Sequence, residues 1–341
     1  MAQTNLLSRY RKWLVWALLA GVVAYSALAM WSDSQEVGEQ LKHFDWALFV
    51  PVILLTLANY ALRCIKWVYL LGTLGVQISK WDASRIFFAG LSMTISPAKA
   101  GELLKPYLVS KKTGVPMATT ISALVAERLT DIVAILGLMA LSVGAISASA
   151  VGNHTLGLVV ISSLIAIGLI ILSVERLSLG LIAVIEKLPV VGRAAPKFRE
   201  LYQGMRACLA PLPFLFTAVL SFVAWGLECV GYVYVFKAMG IEASLAAATF
   251  IYTAGTVVGG ILAILPGGVG AAEGSMVGLC MAKPLSLTQP QALTSALLIR
   301  IATLWMGVFI GAFTLLGMGD LLEDANLEDL QAKDNNRDSD R

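Results

Sequence analysis

The sequence predicts an all-α polytopic membrane protein with about six full transmembrane helices and two Pro/Gly-broken re-entrant hairpins. Hydrophobic residues make up 58 % of the 341 residues and charged residues only 14 %, whereas an average soluble domain has about 25 % charged residues. Runs of about 18–25 apolar residues recur along the chain, and each is long enough to cross a bilayer as a helix. An open sheet is excluded, because lipid cannot satisfy exposed backbone groups.

The first two apolar runs are predicted to cross the membrane in opposite directions. Basic residues precede the run Trp13–Trp31, which indicates a first helix with its N-terminus in the cytoplasm. The acidic stretch Ser32–Asp45 then belongs outside. The second helix extends from Trp46 to about Leu70, and Arg63 and Lys66 are interpreted as its cytoplasmic end.

The next apolar piece, Ile86–Ser96, is too short to cross the membrane as a helix. It has 11 residues, whereas a crossing needs about twenty. Basic residues flank it on both sides, so we expect a hairpin that enters from the cytoplasmic face and turns at Pro97–Gly101. Such broken backbone is tolerated at membrane depth only where protein buries it or water reaches it. The flanking bases are Lys80, Arg85, Lys99, Lys105, Lys111 and Lys112.

The remaining apolar runs complete the predicted topology. A basic cytoplasmic segment near residues 198–209 has the pattern of an amphipathic interfacial helix. The run Leu245–Leu265 is long enough to span, so the sequence leaves open whether it crosses or forms one limb of a hairpin. The other predicted spans are Met117–Val143, Leu156–Val174, Leu212–Phe236 and Ala292–Met318.

A pattern in the first half of the chain recurs 169 residues later. Each copy contains Pro-x-x-x-Gly, then a glutamate, then a helix-borne arginine 26 or 27 residues after the glutamate. The two halves, residues 46–143 and 212–318, would insert in opposite directions, which is the architecture of alternating-access transporters. Coincidence is the alternative, because the chain has 30 glycines. The copies comprise Pro97, Gly101, Glu102 and Arg128, and Pro266, Gly270, Glu273 and Arg300.

Residues 1–318 are predicted to form one membrane domain, followed by an acidic tail at residues 319–341. The tail has eight acids and three bases, a net charge of −5, and we expect it to be disordered and cytoplasmic. The four cysteines show no CxxC spacing, and the two histidines, His43 and His154, are far apart. The sequence therefore predicts no metal site, no cofactor and no enzymatic activity.

Three segments, SPAKAGELLKPYL, ALVAERLTDIVA and LPGGVGAAEGSMVGL, resemble the flippase-like membrane domain of lysylphosphatidylglycerol synthases and its stand-alone relatives. The similarity covers roughly residues 10–320. The synthases add a soluble aminoacyl-transferase domain that this chain lacks. The resemblance therefore implies movement of a lipid across the bilayer, without aminoacylation of that lipid.

Charged residues in apolar sequence supply the candidate site, because a charge at membrane depth costs roughly 2.5–3.5 kcal/mol and usually has a use. We expect the basic members to meet a phosphate headgroup, since arginine binds phosphate bidentately. The alternative is an ion-pair cluster that only holds the helices together. Glu228 is either a protonated, hydrogen-bonded acid or a proton-coupling group. The candidate substrate-binding residues are Lys99, Glu102, Lys105, Tyr107, Glu127, Arg128, Asp131, Glu228, Glu273 and Arg300.

The predicted function is a lipid flippase for an anionic phospholipid or a polyprenyl-phosphate-linked lipid. The partners would be that lipid and proteins of envelope biosynthesis, with no nucleic acid. The location would be a bacterial cytoplasmic membrane, with both termini inside. Two alternatives stay open: a membrane enzyme acting on a lipid phosphate, and a non-transporting partner of an envelope-synthesis complex. The sequence does not indicate which lipid is moved, the direction, the energy source or the oligomeric state.

Overall fold

The structure is a computed structural model, which describes residues 34–96, 101–146, 195–262, 270–283 and 285–318. All regular structure in these ranges is helical, and they contain no strand. This confirms the predicted all-α class. The predicted helices Trp13–Trp31 and Leu156–Val174, the two Pro-containing turns and the acidic tail lie outside the described residues.

We number the helices in chain order. A single 3₁₀ turn, Trp46–Leu48, precedes α2, and a π-helical turn, Ile301–Trp305, joins α10 to α11. The helices are α1 (Ser34–Lys42), α2 (Phe49–Thr73), α3 (Lys80–Leu91), α4 (Leu104–Thr113), α5 (Met117–Ala145), α6 (Ala195–Cys208), α7 (Pro211–Ala238), α8 (Leu245–Ile261), α9 (Ala271–Met281), α10 (Gln289–Arg300) and α11 (Met306–Leu316).

Local sequence signals set several of these helix starts. Ser79 and Ser244 cap α3 and α8, because each hydroxyl accepts a hydrogen bond from a backbone N–H of the first turn. Thr288 and Gln291 form a reciprocal capping box at the start of α10. Pro211 begins α7, a position where its missing N–H would have had no partner inside the helix.

Three described segments are long and apolar enough to cross a membrane: Trp46–Thr73, Pro211–Ala238 and Gln289–Leu316, with 28 residues each. At 1.5 Å per residue each is about 42 Å long, more than the ~30 Å hydrocarbon core. Helix α5 has 29 residues and is similarly long, but it carries three charged residues, Glu127, Arg128 and Asp131, within little more than one turn. The chain is therefore a multi-pass membrane protein, while the total of six spans stays a prediction.

Two pairs of short helices form the broken hairpins. In the second pair, α8 and α9 pack together where Gly255 and Gly259 leave room for side chains of α9. Helix α8 ends at Ile261 after 17 residues, about 25 Å, which is shorter than the ~30 Å hydrocarbon core, so Leu245–Ile261 fits one limb of a hairpin. In the first pair, α3 begins at Lys80, six residues before the predicted apolar piece, and pairs with α4.

The long helices of the two halves run in opposite directions. Helices α2 and α7 pack side by side, and residue numbers that rise along one fall along the other. Asn59 donates from Nδ2 to the carbonyl oxygen of Ala224 at 2.8 Å. Ten residues further along α2, the ring of Tyr69 lies 4.6 Å from that of Phe216. This antiparallel pairing supports the inverted repeat that the sequence predicts.

The packing of the hairpins is reciprocal. In the first half α3 packs on α11 of the second half, and Arg85 donates from Nη2 to the carbonyl oxygen of Gly317 at 3.0 Å. In the second half α8 packs on α5 of the first half, around Met139 and Phe250. One hairpin helix of each half thus packs on the last long helix of the other half, as expected for two copies related by a pseudo-twofold axis.

Candidate functional site

A cavity of about 100 Å³ lies where the two halves meet. It is lined from both hairpins and from α2, α5, α7 and α10, and most of its polar side chains are charged. We call it the central cavity. Its ionisable side chains are Arg63, Glu102, Arg128, Glu228, Tyr252 and Arg300. Four of these six are candidate site residues predicted from the sequence.

Each half places one arginine beside its own hairpin glutamate. Arg128 Nε lies 3.0 Å from Glu102 Oε2, and Arg300 Nε lies 2.7 Å from Glu273 Oε1. The other oxygen of Glu273 accepts from the backbone N–H of Gly270 at 2.7 Å, which fixes the carboxylate to the first turn of α9. The two arginines that the repeat matches therefore line one cavity with equivalent acidic partners.

Helix α5 carries three charged residues close together. Arg128 also lies 3.1 Å from Glu127 and 3.5 Å from Asp131, measured between guanidinium nitrogen and carboxylate oxygen. Its side chain is 30 % exposed, whereas the side chains of Glu127 and Asp131 are buried. Arg128 is therefore the basic group of α5 that an incoming anion can reach.

Lys105, which the sequence predicts to bind the phosphate, does not line the central cavity. It is buried, and its Nζ donates to Glu127 Oε2 at 2.6 Å. The ammonium also lies 4.5 Å from the ring centre of Trp67 and 5.1 Å from that of Phe87. Such aromatic faces stabilise a desolvated cation. The structure gives Lys105 the position of an ion pair that joins α4 to α5.

Arg63 and Lys66 of α2 join the cluster, and the sequence analysis missed them as site residues. Lys66 is 0 % exposed and donates from Nζ to Asp131 Oδ1 at 2.5 Å and to Ser221 Oγ at 2.7 Å. Arg63 lines the central cavity, 5.6 Å over the ring of Trp225. They do not mark the end of α2, which continues to Thr73, about 10 Å beyond Lys66. Residues three positions apart lie on one face of a helix, so the spacing of Arg63 and Lys66 could have identified them from the sequence.

The cluster around α5 carries surplus positive charge. Among the described residues it contains four bases and three acids, so 4 − 3 leaves +1. A purely structural cluster needs no surplus, whereas a site for an anion does. The bases are Arg63, Lys66, Lys105 and Arg128, and the acids are Glu102, Glu127 and Asp131.

Glu228 lies in the middle of α7 and lines the central cavity. It is 3 % exposed, and its Oε2 accepts a hydrogen bond from the hydroxyl of Tyr252 on α8 at 2.6 Å. This contact supplies the hydrogen-bond partner that a buried carboxyl group needs, and it is compatible with both interpretations that the sequence left open.

The remaining predicted site residues lie elsewhere. Tyr107 on α4 is half-buried against the apolar core of the first half, with Lys111 Nζ 6.0 Å from its ring centre, and it does not line the central cavity. Lys99 lies outside the described residues. Within the described ranges no group of three His, Cys, Asp or Glu side chains is arranged to hold a metal ion.

Fold and site together define a class: a helical multi-pass membrane protein in which two broken hairpins meet at a charged internal cavity. Residues 16–311 match the lysylphosphatidylglycerol synthase TM region family, and the chain belongs to that family. This confirms the resemblance carried by the three sequence segments.

Two similar relatives are UPF0104 membrane proteins of Methanothermobacter thermautotrophicus. One is 26 % identical over 316 residues, covering 87 % of this chain and 92 % of the relative. The other is 21 % identical over 280 residues, covering 76 % and 82 %. The chain is also similar to glycosyltransferase AglD of Haloferax volcanii, 27 % identical over 126 residues. That similarity covers 37 % of this chain but only 20 % of AglD.

Proposed function

We propose that this chain is a flippase-type transporter, which moves a lipid with a phosphate headgroup between the two leaflets of a membrane. The observation that carries the proposal is the shared cavity of Arg128 and Arg300. These arginines come from halves that run in opposite directions, and each is held beside the broken end of a hairpin. In inverted-repeat transporters, broken helices at the repeat interface supply the substrate site.

The chemistry of the cavity suits a phosphate. A guanidinium fork binds two oxygens at once, which a lysine ammonium does not. Arg128 has three carboxylates within 3.5 Å, so a phosphate can replace part of an existing ion pair without leaving the guanidinium unpaired. The net charge of +1 around α5 would offset part of the charge of the phosphate. Together these features support an anionic headgroup.

The central cavity by itself is too small for a whole headgroup. Sites for drug-sized ligands measure roughly 300–1,000 Å³, whereas the central cavity measures about 100 Å³. A whole headgroup therefore needs one of the two hairpins to move away from the long helix of the other half. Such rocking around a fixed site is how inverted repeats expose a substrate to alternate sides.

The lipid itself is proposed only as a class. An anionic phospholipid fits the charge of the cavity, and so does a polyprenyl-phosphate-linked lipid. The similarity to AglD, which is named as a glycosyltransferase, favours the second of these. The same similarity favours a second candidate function, a non-transporting membrane partner of lipid-linked glycan synthesis. In either case we propose the cytoplasmic membrane as the location, with both termini inside.

Reconstitution into liposomes with a fluorescent phospholipid tests the proposal. We expect Arg128→Lys and Arg300→Lys to fold and to lose most lipid movement, because lysine keeps the charge but loses the fork. Arg206→Lys, at an exposed position on α6, is the matched control and should move lipid at the wild-type rate. Normal movement by both cavity variants would refute the shared arginine site. Conversion of the lipid would instead indicate an enzyme, and neither movement nor conversion a partner protein.

A further inference from the structure

A second cavity, of about 300 Å³, opens beside the central cavity between α5, α7 and α8. We call it the lateral cleft. The two cavities share four lining residues, Arg128, Trp225, Thr256 and Gly260. The shared residues make the lateral cleft a continuation of the central cavity.

The lining of the lateral cleft changes from charged to apolar. Arg128 and Asp131 stand at the end that adjoins the central cavity. Beyond them the lining is aliphatic, and Ile261, the last residue of α8, is 61 % exposed. A charged inner end and an apolar outer end match a phosphate headgroup joined to a hydrocarbon chain. The aliphatic residues are Ile132, Ile135, Leu136, Val257 and Ile261.

Two neighbouring glycines of α8 show how the cleft is kept open. A Cβ at Gly259 would lie 2.8 Å from Cβ of Ala272, so this glycine brings α8 close to α9. At Gly260 a Cβ would meet no atom within 4 Å. Gly260 therefore faces open space where the two cavities join, and a Cβ there would displace no neighbour.

At the equivalent boundary in the other half the two helices are in backbone contact at one glycine. By the pseudo-twofold relation, α3 packed on α11 corresponds to α8 packed on α5. Gly311 of α11 brings the two backbones into contact, since a Cβ there would lie 2.2 Å from the nitrogen of Ser92 and 2.8 Å from the carbonyl oxygen of Phe88.

We propose that the hydrocarbon chain of the transported lipid lies in the lateral cleft, between α5 and α8, while its phosphate occupies the central cavity. This inference rests on the proposed function and adds a route for the hydrocarbon chain of the lipid. The occupant is a long apolar chain attached to an anionic headgroup, because the cleft is continuous with Arg128 and lined with aliphatic side chains. The headgroup then crosses within the protein while the chain stays in lipid-like surroundings.

The test places a side chain in the lateral cleft and locates the hydrocarbon chain of the lipid by photolabelling. Gly260→Leu adds an apolar side chain to the open space, whereas Gly278→Leu, at an exposed glycine of α9 that also has no atom within 4 Å, is the matched control. In phosphatidylglycerol vesicles that contain a phospholipid with a photoreactive group at the chain end, we expect labelling of α5 and α8 in the wild type and the control. Gly260→Leu should lower labelling and lipid movement by about tenfold, the scale of effect of a few methylenes in an apolar pocket.

The outcomes separate the route from the function. Labelling of other helices, or wild-type labelling and movement in Gly260→Leu, would refute the route. If Arg128→Lys and Arg300→Lys abolish movement in the same vesicles, the proposed function still stands. If the wild type moves no lipid but is labelled on α5 and α8, the chain route is supported and the proposed function fails.

Discussion

Replacing Lys105 by methionine tests whether the buried charges of α5 are structural or part of the lipid path. The substitution keeps most of the apolar length of the side chain but removes the ammonium that lies 2.6 Å from Glu127. It also removes the cation from between the rings of Trp67 and Phe87. Glu127 keeps Arg128 at a nitrogen–oxygen distance of 3.1 Å and Arg63 at 3.9 Å, so its carboxylate is left with two more distant basic partners.

The structure allows the effect to be estimated. Breaking a buried ion pair by removing one partner costs about 3–5 kcal/mol. The remaining contact with Arg128 places Lys105→Met near the lower limit, about 3 kcal/mol, which is a change of more than about a hundredfold in the folding equilibrium. In Lys105→Met/Glu127→Gln both charges are absent. We expect most of the lost stability to return, because no uncompensated charge is then buried.

Unfolding in a detergent titration, followed by tryptophan fluorescence, measures the stability, and the liposome assay measures transport. Lys111→Met, at a partly exposed position on the same helix, is the control and should change the free energy of unfolding by no more than about 0.5 kcal/mol. We expect the double variant to move lipid, since Lys105 does not line the central cavity. A stable double variant that moves no lipid would refute this reasoning, as would a Lys105→Met protein with wild-type stability.

Two further substitutions test the packing around the cavities. Gly311→Ala should destabilise the protein by about 1–3 kcal/mol in the same titration, because the new methyl group would overlap the backbone of Ser92; an unchanged midpoint would show that the boundary between α3 and α11 can separate freely. Tyr252→Phe should lower stability by about 1–3 kcal/mol by removing the hydrogen bond to the buried carboxyl group of Glu228. Glu228→Gln, which keeps an acceptor for that hydroxyl, should stay within about 1 kcal/mol of the wild type, and equal losses in both variants would contradict the hydrogen-bonded interpretation.

Several features were predictable because they depend on local sequence. Apolar length indicates which helices can cross a membrane, and the same length shows that Ile86–Ser96 cannot. The pairs of Glu102 with Arg128 and of Glu273 with Arg300 were also within reach of the sequence. Both pairs recur at matched spacing in the two copies of the repeat, so an arrangement in one half implies the same arrangement in the other.

The partners of the other charges depend on how distant helices pack. Lys66 and Asp131 are 65 positions apart, and only the contact of α2 with α5 brings them together. In the sequence, Lys105 has the charge and the apolar neighbours that are expected of a residue that binds a headgroup. Its ammonium is nevertheless placed between two aromatic rings by the rotation of α4 in the first hairpin. Hydropathy and spacing contain no information on such a rotation.

The all-α membrane class was therefore readable from the sequence, because it follows from chain length and hydropathy. The inverted pairing of the two halves stays a prediction from the repeat. The end of α8 at Ile261 and the position of Arg63 in the central cavity depend on tertiary packing. Tertiary packing also sets what the glycines at the two equivalent boundaries meet. Gly311 allows backbone contact in one and Gly260 faces a cleft in the other, because helix packing, and not the residue type, sets what each glycine meets.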